Sequence, residues 1–263
     1  MKEYKITDTE NILGLKVVNN PPVELFDALF TGIVAGKKGH VLVCANPHSL
    51  VMAKRDERFF SALQSADTVV PDGSGIILAS RILGGRIRQR VTGFDVFADL
   101  CQRMNDARGM SCFFLGSSQQ NLELIRQKFS KEYPHVKIAG AFSPPFKSEF
   151  DLNDNQAMVE AINIARPDVL WLGMSAPKQE KWIQQHRDQL DVKFIGAIGA
   201  VFDFYVGTVK RSPTWFLDHG LEWLPRLLQQ PRRLWRRMLI SAPLFLFDVA
   251  KTWASAAMQR KWG

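Results

Sequence analysis

The segment Val169-Leu170-Trp171-Leu172-Gly173-Met174-Ser175-Ala176-Pro177-Lys178-Gln179-Glu180 decides the fold. Four large apolar residues in a row, closed by glycine, read as a strand buried on both faces, because a half-exposed strand would alternate with polar residues. A small-residue turn and a proline follow. Pro177 suits the first position of a helix, which puts Lys178 and Gln179 in its opening turn. Strand, short turn and helix in that order form part of a βαβ unit.

The same alternation extends in both directions. Strands are expected over 40–45, 68–70, 111–115, 136–139, 169–173 and 193–197. Helices are expected over 49–66, 74–83, 94–107, 119–132, 153–165 and 177–189. Ahead of them, 12–19 reads as a strand or hairpin leading into a helix over 23–34. The expected fold is α/β, a Rossmann-like, mostly parallel sheet flanked by helices. After Tyr205 the strand signal stops, and Pro213, Pro225, Pro231 and Pro243 punctuate a helical stretch. The expected division is a catalytic core over 1–204 and a helical, basic and aromatic appendage over 205–263. All strands lie upstream of Pro231, so the core is expected to fold without the segment that follows it.

Charge is concentrated in that appendage. Between Val201 and Gly263 ten Lys/Arg face four acids, so six of the chain's eight net positive charges fall there, with five of its seven tryptophans. Arg and Trp interleaved with Leu, Phe and Ile suit a surface that meets anionic lipid head groups or a diphosphate. Trp235, Leu239, Phe245 and Phe247 are expected to supply the apolar part of that surface. The longest apolar run, 238–247, contains Pro243 and ends at Asp248. It is about half the roughly 20 residues that a spanning helix needs. The N-terminus, Met1-Lys2-Glu3-Tyr4-Lys5, has no apolar run of the kind a secretory signal carries. Three cysteines without ligand spacing argue for a reducing compartment and against a disulfide framework or a zinc site. The expected location is cytoplasmic, peripheral on the inner face of the cytoplasmic membrane.

In an open α/β sheet, ligands bind beyond the carboxyl ends of the strands. Cys44, Asn46 and His48 stand at the first such end, where Asn46 equally suits a helix N-cap. At the second, Asp72 is the sole carboxylate in Val70-Pro71-Asp72-Gly73-Ser74-Gly75. It suits a general base or a turn residue, and the glycines allow close backbone approach before a helix start. At the third, Gly116 begins a small-residue turn without the full Gly-x-Gly-x-x-Gly spacing, which disfavours NAD. At the fourth, Gly173 precedes Lys178, Gln179 and Glu180, where Glu180 reads as a cap of its own helix. Gly199, Phe202 and Asp203 follow the last strand. The five histidines are scattered and no Asp-x-Asp is present, so no metal and no cofactor are expected, and arginines would have to hold any phosphate.

These segments, in this order, resemble the bacterial glycosyltransferases of the WecG/TagA/CpsF family. The likeness rests on Val70–Gly75, on Arg90-Val91-Thr92-Gly93-Phe94-Asp95, on Ala176-Pro177-Lys178-Gln179-Glu180-Lys181-Trp182, on Phe202-Asp203 through Gly207-Thr208-Val209-Lys210-Arg211-Ser212-Pro213, and on Gly220-Leu221-Glu222-Trp223 with Arg226 and Pro231. The resemblance implies an inverting transfer from a UDP-sugar to a polyprenyl-diphosphate-linked sugar. It implies Asp72 as base, Arg226, Arg233 and Arg236 as residues needed for activity, and Gln179 in the nucleotide pocket. Strand-end position and the resemblance together give the rest of the expected substrate-binding set: Cys44, Asn46, Arg90, Thr92, Asp95, Gly116, Gly173, Lys178, Gly199, Phe202, Asp203, Lys210 and Arg211. Teichoic-acid members carry threonine where this chain has Cys44, and a thiol is a poorer hydrogen-bond donor. The segment Ala141-Phe142-Ser143-Pro144-Pro145-Phe146 is more similar to exopolysaccharide members, including the xanthan-type glucosyltransferase, which implies a glucosyl donor. The competing donors are UDP-N-acetylmannosamine and its uronate. The competing classes are a non-catalytic module for anionic membranes or nucleic acid, and an oxidoreductase. No nucleic-acid partner is expected, and the oligomeric state stays open.

Overall fold

The computed structural model describes residues 6, 8–209, 216, 223–229 and 231–262, without the side chains of 226, 233 and 260–262. A hairpin comes first, β1 (Thr9–Ile12) against β2 (Leu15–Val18). Its two-residue turn places Leu13 and Gly14 at φ 51 and 87, the left-handed pair that matches strand twist. Six strands then form one sheet: β3 (His40–Ala45), β4 (Thr68–Pro71), β5 (Ser111–Gly116), β6 (Lys137–Phe142), β7 (Val169–Gly173) and β8 (Phe194–Ala197). Their order is β4-β3-β8-β7-β5-β6, and every neighbouring pair is parallel.

Both faces of the sheet are apolar. Along β7, Leu170 and Leu172 join one core while Val169 and Trp171 join the other. The first core is closed by α2 (Pro47–Ala53), α3 (Glu57–Gln64), α4 (Ser74–Ile82), α7 (Leu152–Ala165) and α8 (Lys178–His186). The second is closed by α1 (Pro22–Val34), α5 (Gly93–Ala107), α6 (Gln119–Glu132) and α9 (Val201–Val206). The expected α/β architecture is therefore the observed one. The helix expected over 49–66 is two helices, because Asp56 accepts from the Phe59 N–H at 3.1 Å and starts α3 afresh. Pro177 is the N-cap of α8 and stands one position earlier than expected.

After α9, which runs across residue 204, the described tail consists of α10 (Trp223–Gln229), α11 (Pro231–Arg236), a π-helical turn over Arg237–Ser241 and α12 (Ala242–Trp262). None of the described helices is long and apolar enough to cross a membrane. The tail packs on the core. Phe245 and Val249 are fully buried among residues of α2, α4 and the sheet. Lys54 pairs with Asp248 at 2.5 Å, and His48 Nδ1 lies 2.8 Å from Ser241 Oγ. This corrects one expectation: Phe245 is a core residue rather than part of an exposed apolar surface, and with Val249 it brings α12 into the first core. Phe245 and Val249, four residues apart, share the inward face of α12, whereas Phe247 points away from it and is 66% exposed. Phe245→Ala should therefore cost about 3–5 kcal/mol of stability, whereas Phe247→Ser should stay within about 0.5 kcal/mol. Chemical denaturation of the two variants checks the contrast.

Candidate active site

At β8 the connections leaving the strands diverge to opposite faces of this sheet. β3 and β7 lead into α2 and α8 on one side, and β8 between them leads into α9 on the other. Such divergence opens a crevice beyond the carboxyl ends of the strands. A cavity of about 500 Å³ fills that crevice, within the size range of small-molecule sites. Its floor and walls come from the ends of β3, β4, β7 and β8 and from the 90–94 loop. Trp223, Leu234, Arg237, Met238 and Leu239 of the tail close it from above.

Close backbone approach builds these walls. A Cβ on Gly75 would lie 2.4 Å from Pro47 Cγ, so α4 meets the start of α2 only through glycine. A Cβ on Gly93 would lie 3.3 Å from the Ile198 Cα and 3.4 Å from Cys44 Sγ, which seats the start of α5 against the ends of β3 and β8. The Asp72 N–H donates to the Ala45 carbonyl at 2.8 Å, and the Val91 N–H to that of Pro71 at 2.9 Å. These bonds hold the Asp72 turn and the Arg90 loop side by side. The first turns of α4 and α5 thus open onto the cavity, and helix N-termini favour anions.

Of the residues singled out from sequence, Cys44, Asn46, Asp72, Arg90, Thr92, Gln179 and Gly199 line the cavity. Asn46 also caps α2, accepting from the Ser49 N–H at 2.9 Å. Thr92 and Asp95 form the capping box of α5, with Thr92 Oγ1 donating to Asp95 Oδ2 at 2.7 Å. Asp95 itself does not line the cavity. The other residues stand elsewhere. Gly116 and Gly173 are paired across β5 and β7, where a Cβ on Gly116 would lie 2.8 Å from the Gly173 backbone. A Cβ on Gly173 would run into the ring of Phe202, which is buried in the second core. Asp203 Oδ1 accepts from Asn121 Nδ2 at 3.0 Å. Lys178 turns to the loop before α7, donating to the Lys147 carbonyl at 2.8 Å with its ammonium 4.5 Å from the Phe150 ring centre. Arg236 is exposed and lies over the Trp235 ring at 5.4 Å. Lys210 and Arg211 are outside the described residues, as are the side chains of Arg226 and Arg233.

Three further lining residues were given no substrate-binding role in the sequence. Arg237 is the described tail arginine that reaches the cavity wall. His48 lines it too, and burial, with Arg237 beside it, lowers its pKa to about 4, so its ring is neutral at physiological pH. Glu180 is the third. It is 4% exposed, accepts from Gln179 Nε2 at 2.9 Å, and is pushed up to about 7 by burial, against the opposing hydrogen bonds from Gln179 and its own backbone. Burial likewise raises the Cys44 thiol well above its ordinary value, with Asp72, Glu180 and Asp95 adding to the effect. Cys44 is therefore a neutral thiol among carboxyl groups. Among the described residues, no three His, Cys, Asp or Glu side chains converge as metal ligands.

The raised Glu180 value has a consequence for stability. The native state keeps a proton that the unfolded chain releases above about 4.5, so stability falls as pH rises from about 4.5 to about 7 and is flat beyond. Glu180→Gln removes that loss. The variant should be the more stable form at about pH 8, by up to about 3 kcal/mol, with the advantage shrinking towards pH 4.5. Denaturant midpoints across that range test it, and a constant difference at all pH values would contradict it.

The glycosyl transferase WecG/TagA/CpsF family model matches residues 10–259. An N-acetylglucosaminyldiphosphoundecaprenol N-acetyl-beta-D-mannosaminyltransferase of Bacillus subtilis (strain 168) is 32% identical over 243 residues, covering 92% of this chain and 91% of that protein. The enzyme of the same name from Bacillus spizizenii is 30% identical over the same shares, and one from Staphylococcus aureus (strain MW2) is 26% identical over 95% of this chain and 96% of its own length. With the family model spanning nearly the whole chain and its motifs gathered at the carboxyl ends of the sheet, this protein belongs to the WecG/TagA/CpsF family of glycosyl transferases.

Proposed function

We propose that the chain transfers N-acetylmannosamine from its UDP conjugate to a polyprenyl-diphosphate-linked sugar, inverting the anomeric centre. One observation carries the reading. A single cavity brings Asp72 together with the first turns of α4 and α5 and with two arginines, Arg90 and Arg237. A base beside an anion-binding wall is what a displacement with a diphosphate leaving group needs. Asp72 takes the proton of the acceptor hydroxyl as its oxygen bonds to the anomeric carbon. The bond from that carbon to the diphosphate oxygen breaks on the opposite face. The helix N-termini and arginines receive the growing charge, with Arg226 and Arg233 as further cations, so the transfer runs without a metal. The names of the relatives support N-acetylmannosamine as the sugar and an N-acetylglucosaminyl diphosphate lipid as acceptor. A glucosyl donor and an exopolysaccharide role are the second reading, favoured by Cys44 on the cavity wall where a threonine hydroxyl would bind a sugar differently.

In this reading, residues 205–263 hold the enzyme on the inner membrane face, where its lipid acceptor lies. Trp235, Leu239, Phe247 and Trp253 are exposed large side chains on the tail, with the exposed Arg232 and Arg236 nearby in sequence. Apolar area and basic charge together give interfacial attachment, with about 1 kcal/mol per Lys/Arg near an anionic surface.

Two outcomes follow. Asp72→Asn keeps the size of the side chain and removes the base, so turnover should fall by ~10²-fold or more while UDP binding and folding hold. The assay pairs UDP-N-acetylmannosamine and UDP-glucose with a short polyprenyl-diphosphate N-acetylglucosamine. Near-normal turnover of the variant removes Asp72 from the mechanism, a preference for UDP-glucose selects the second reading, and activity lost to EDTA and restored by Mg²⁺ refutes the metal-free mechanism. Separately, the full chain should bind vesicles containing phosphatidylglycerol, weaken with salt and keep a residual attachment. Leu239→Ser with Trp253→Ser should remove that residue without lowering the melting temperature. Equal binding to neutral vesicles and no salt effect would contradict the basic-tail reading.

A further inference from the structure

Gln179 and Glu180 are adjacent, both almost fully buried, and both on the cavity wall. Their mutual bond uses Gln179 Nε2 and Glu180 Oε1. That leaves Gln179 Oε1 and Glu180 Oε2, two buried oxygens with no hydrogen-bond partner among the described residues. Buried polar atoms in native proteins are nearly always paired, so two neighbouring exceptions on residues that line one cavity point to a ligand that reaches them as the wall adjusts. The Gln179 amide also lies beside Gly199, where a Cβ would be in ordinary contact with Nε2 at 3.7 Å.

We propose that Glu180, in its protonated form, is a substrate-binding residue that donates a hydrogen bond to the nucleotide sugar while Gln179 Oε1 accepts one from the same region of that ligand. This inference rests on the nucleotide-sugar reading above and goes beyond it. The ligand group is defined by what it must offer: a donor hydrogen for Gln179 and an acceptor oxygen for the carboxyl O–H. A phosphate at neutral pH has only acceptors, so the diphosphate does not fit here. Neighbouring ring hydroxyls fit, and so does the imide edge of uracil.

Charge around the site gives the protonated form its use. Asp72, Glu180 and Asp95 all push the Cys44 thiol of β3 up, so these three carboxyl groups lie in its neighbourhood. Arg90, Arg237 and the neutral His48 line the same cavity. On α8 itself, Lys181 is paired with Asp56 of α3 at 2.5 Å and Lys178 is turned away, so neither compensates an anion at Glu180. A third carboxylate there would repel the diphosphate. Burial keeps Glu180 protonated up to about pH 7, so binding holds below that value and fades above it.

The test is titration calorimetry of the full-length wild type, Glu180→Gln and Glu180→Leu. The ligands are UDP-N-acetylmannosamine, UDP and CDP at pH 6 and 8.5. Comparing proteins at each pH cancels any titration of the ligand. Wild-type affinity should drop at pH 8.5 by on the order of tenfold relative to Glu180→Gln, because only the protonated fraction binds well. Glu180→Gln, which keeps a neutral donor, should match the wild type within a few fold at pH 6, and Glu180→Leu should lose about tenfold or more. Wild-type binding of UDP-N-acetylmannosamine at pH 8 should take up protons, read from buffers of different ionisation enthalpy, and Glu180→Gln should not. An effect confined to UDP-N-acetylmannosamine assigns the contact to the transferred sugar. One shared by UDP but absent with CDP assigns it to the uracil edge, and one shared by all three to the nucleoside without discrimination of the base. A wild-type to Glu180→Gln ratio that is the same at both pH values, or full affinity in a folded Glu180→Leu, overturns the Glu180 proposal alone. Failure of the wild type to bind any uridine ligand at either pH overturns the nucleotide-sugar reading and this proposal with it.

Discussion

Crowding of the backbone at the carboxyl edge of the sheet is the constraint on which the rest depends. Five helices begin within reach of one cavity, and they can do so only where side chains are absent. Gly75 lets α4 touch Pro47, and Gly93 lets α5 lie on Ile198 and Cys44. Deeper in, Gly173 makes room for the Phe202 ring, which anchors α9 in the second core. The glycines that look like ligand-binding positions in the sequence are therefore of two kinds. Some open space for a ligand, and others let protein meet protein so that the open space has rigid walls.

Electrostatics in the cavity is a balance between few groups. The first turns of α4 and α5, Arg90 and Arg237 border the same space as Asp72, the proposed base. Cys44 and His48 are held neutral by burial, so neither adds charge to that balance. Desolvation is the leading cause in both cases, and His48 is tied to the tail that helps cover the cavity through Ser241 and Arg237. Lifting the tail would hydrate His48, break its bond to Ser241 and loosen the wall that carries Arg237.

The fold was legible because every core strand is a short apolar run between turn residues, and burial on both faces leaves no polar alternation to confuse the period. Helix breaks were less visible. Nothing in apolar spacing reveals that Asp56 captures the Phe59 N–H and ends one helix to start another. In the site, Asp72, Asn46, Arg90, Thr92 and Gln179 were legible from loop position and motif together. Position at a strand end does not tell which way a side chain turns, so Phe202, Asp203 and Lys178 looked like ligand-binding residues although the structure turns them to protein partners. Glu180 was hidden for a different reason. A glutamate in the first turn of a helix ordinarily caps that helix in solvent, and only the packing of α8 against the sheet shows that this one is buried. Arg236 and Arg237 are neighbours in sequence, yet about 100° apart around a helix, so composition alone could not say which one reaches the cavity.

The π-helical turn over Arg237–Ser241 sets the angular phase of everything around it. Each residue in an α-helix advances the side chains by about 100°, and a π turn absorbs one residue more than an α turn does. That extra residue lets Arg237, Met238 and Leu239 border the cavity while Phe245 and Val249, one and two turns further on, enter the core. Were the turn to relax into a regular α-helix with α12 fixed in the core, the stretch before it would swing about its axis like a misthreaded screw. The face now bordering the cavity would point elsewhere. The tail thus carries a built-in offset between its anchored half and its cavity-facing half, and the length of this one segment, more than its composition, determines which side chains the cavity sees.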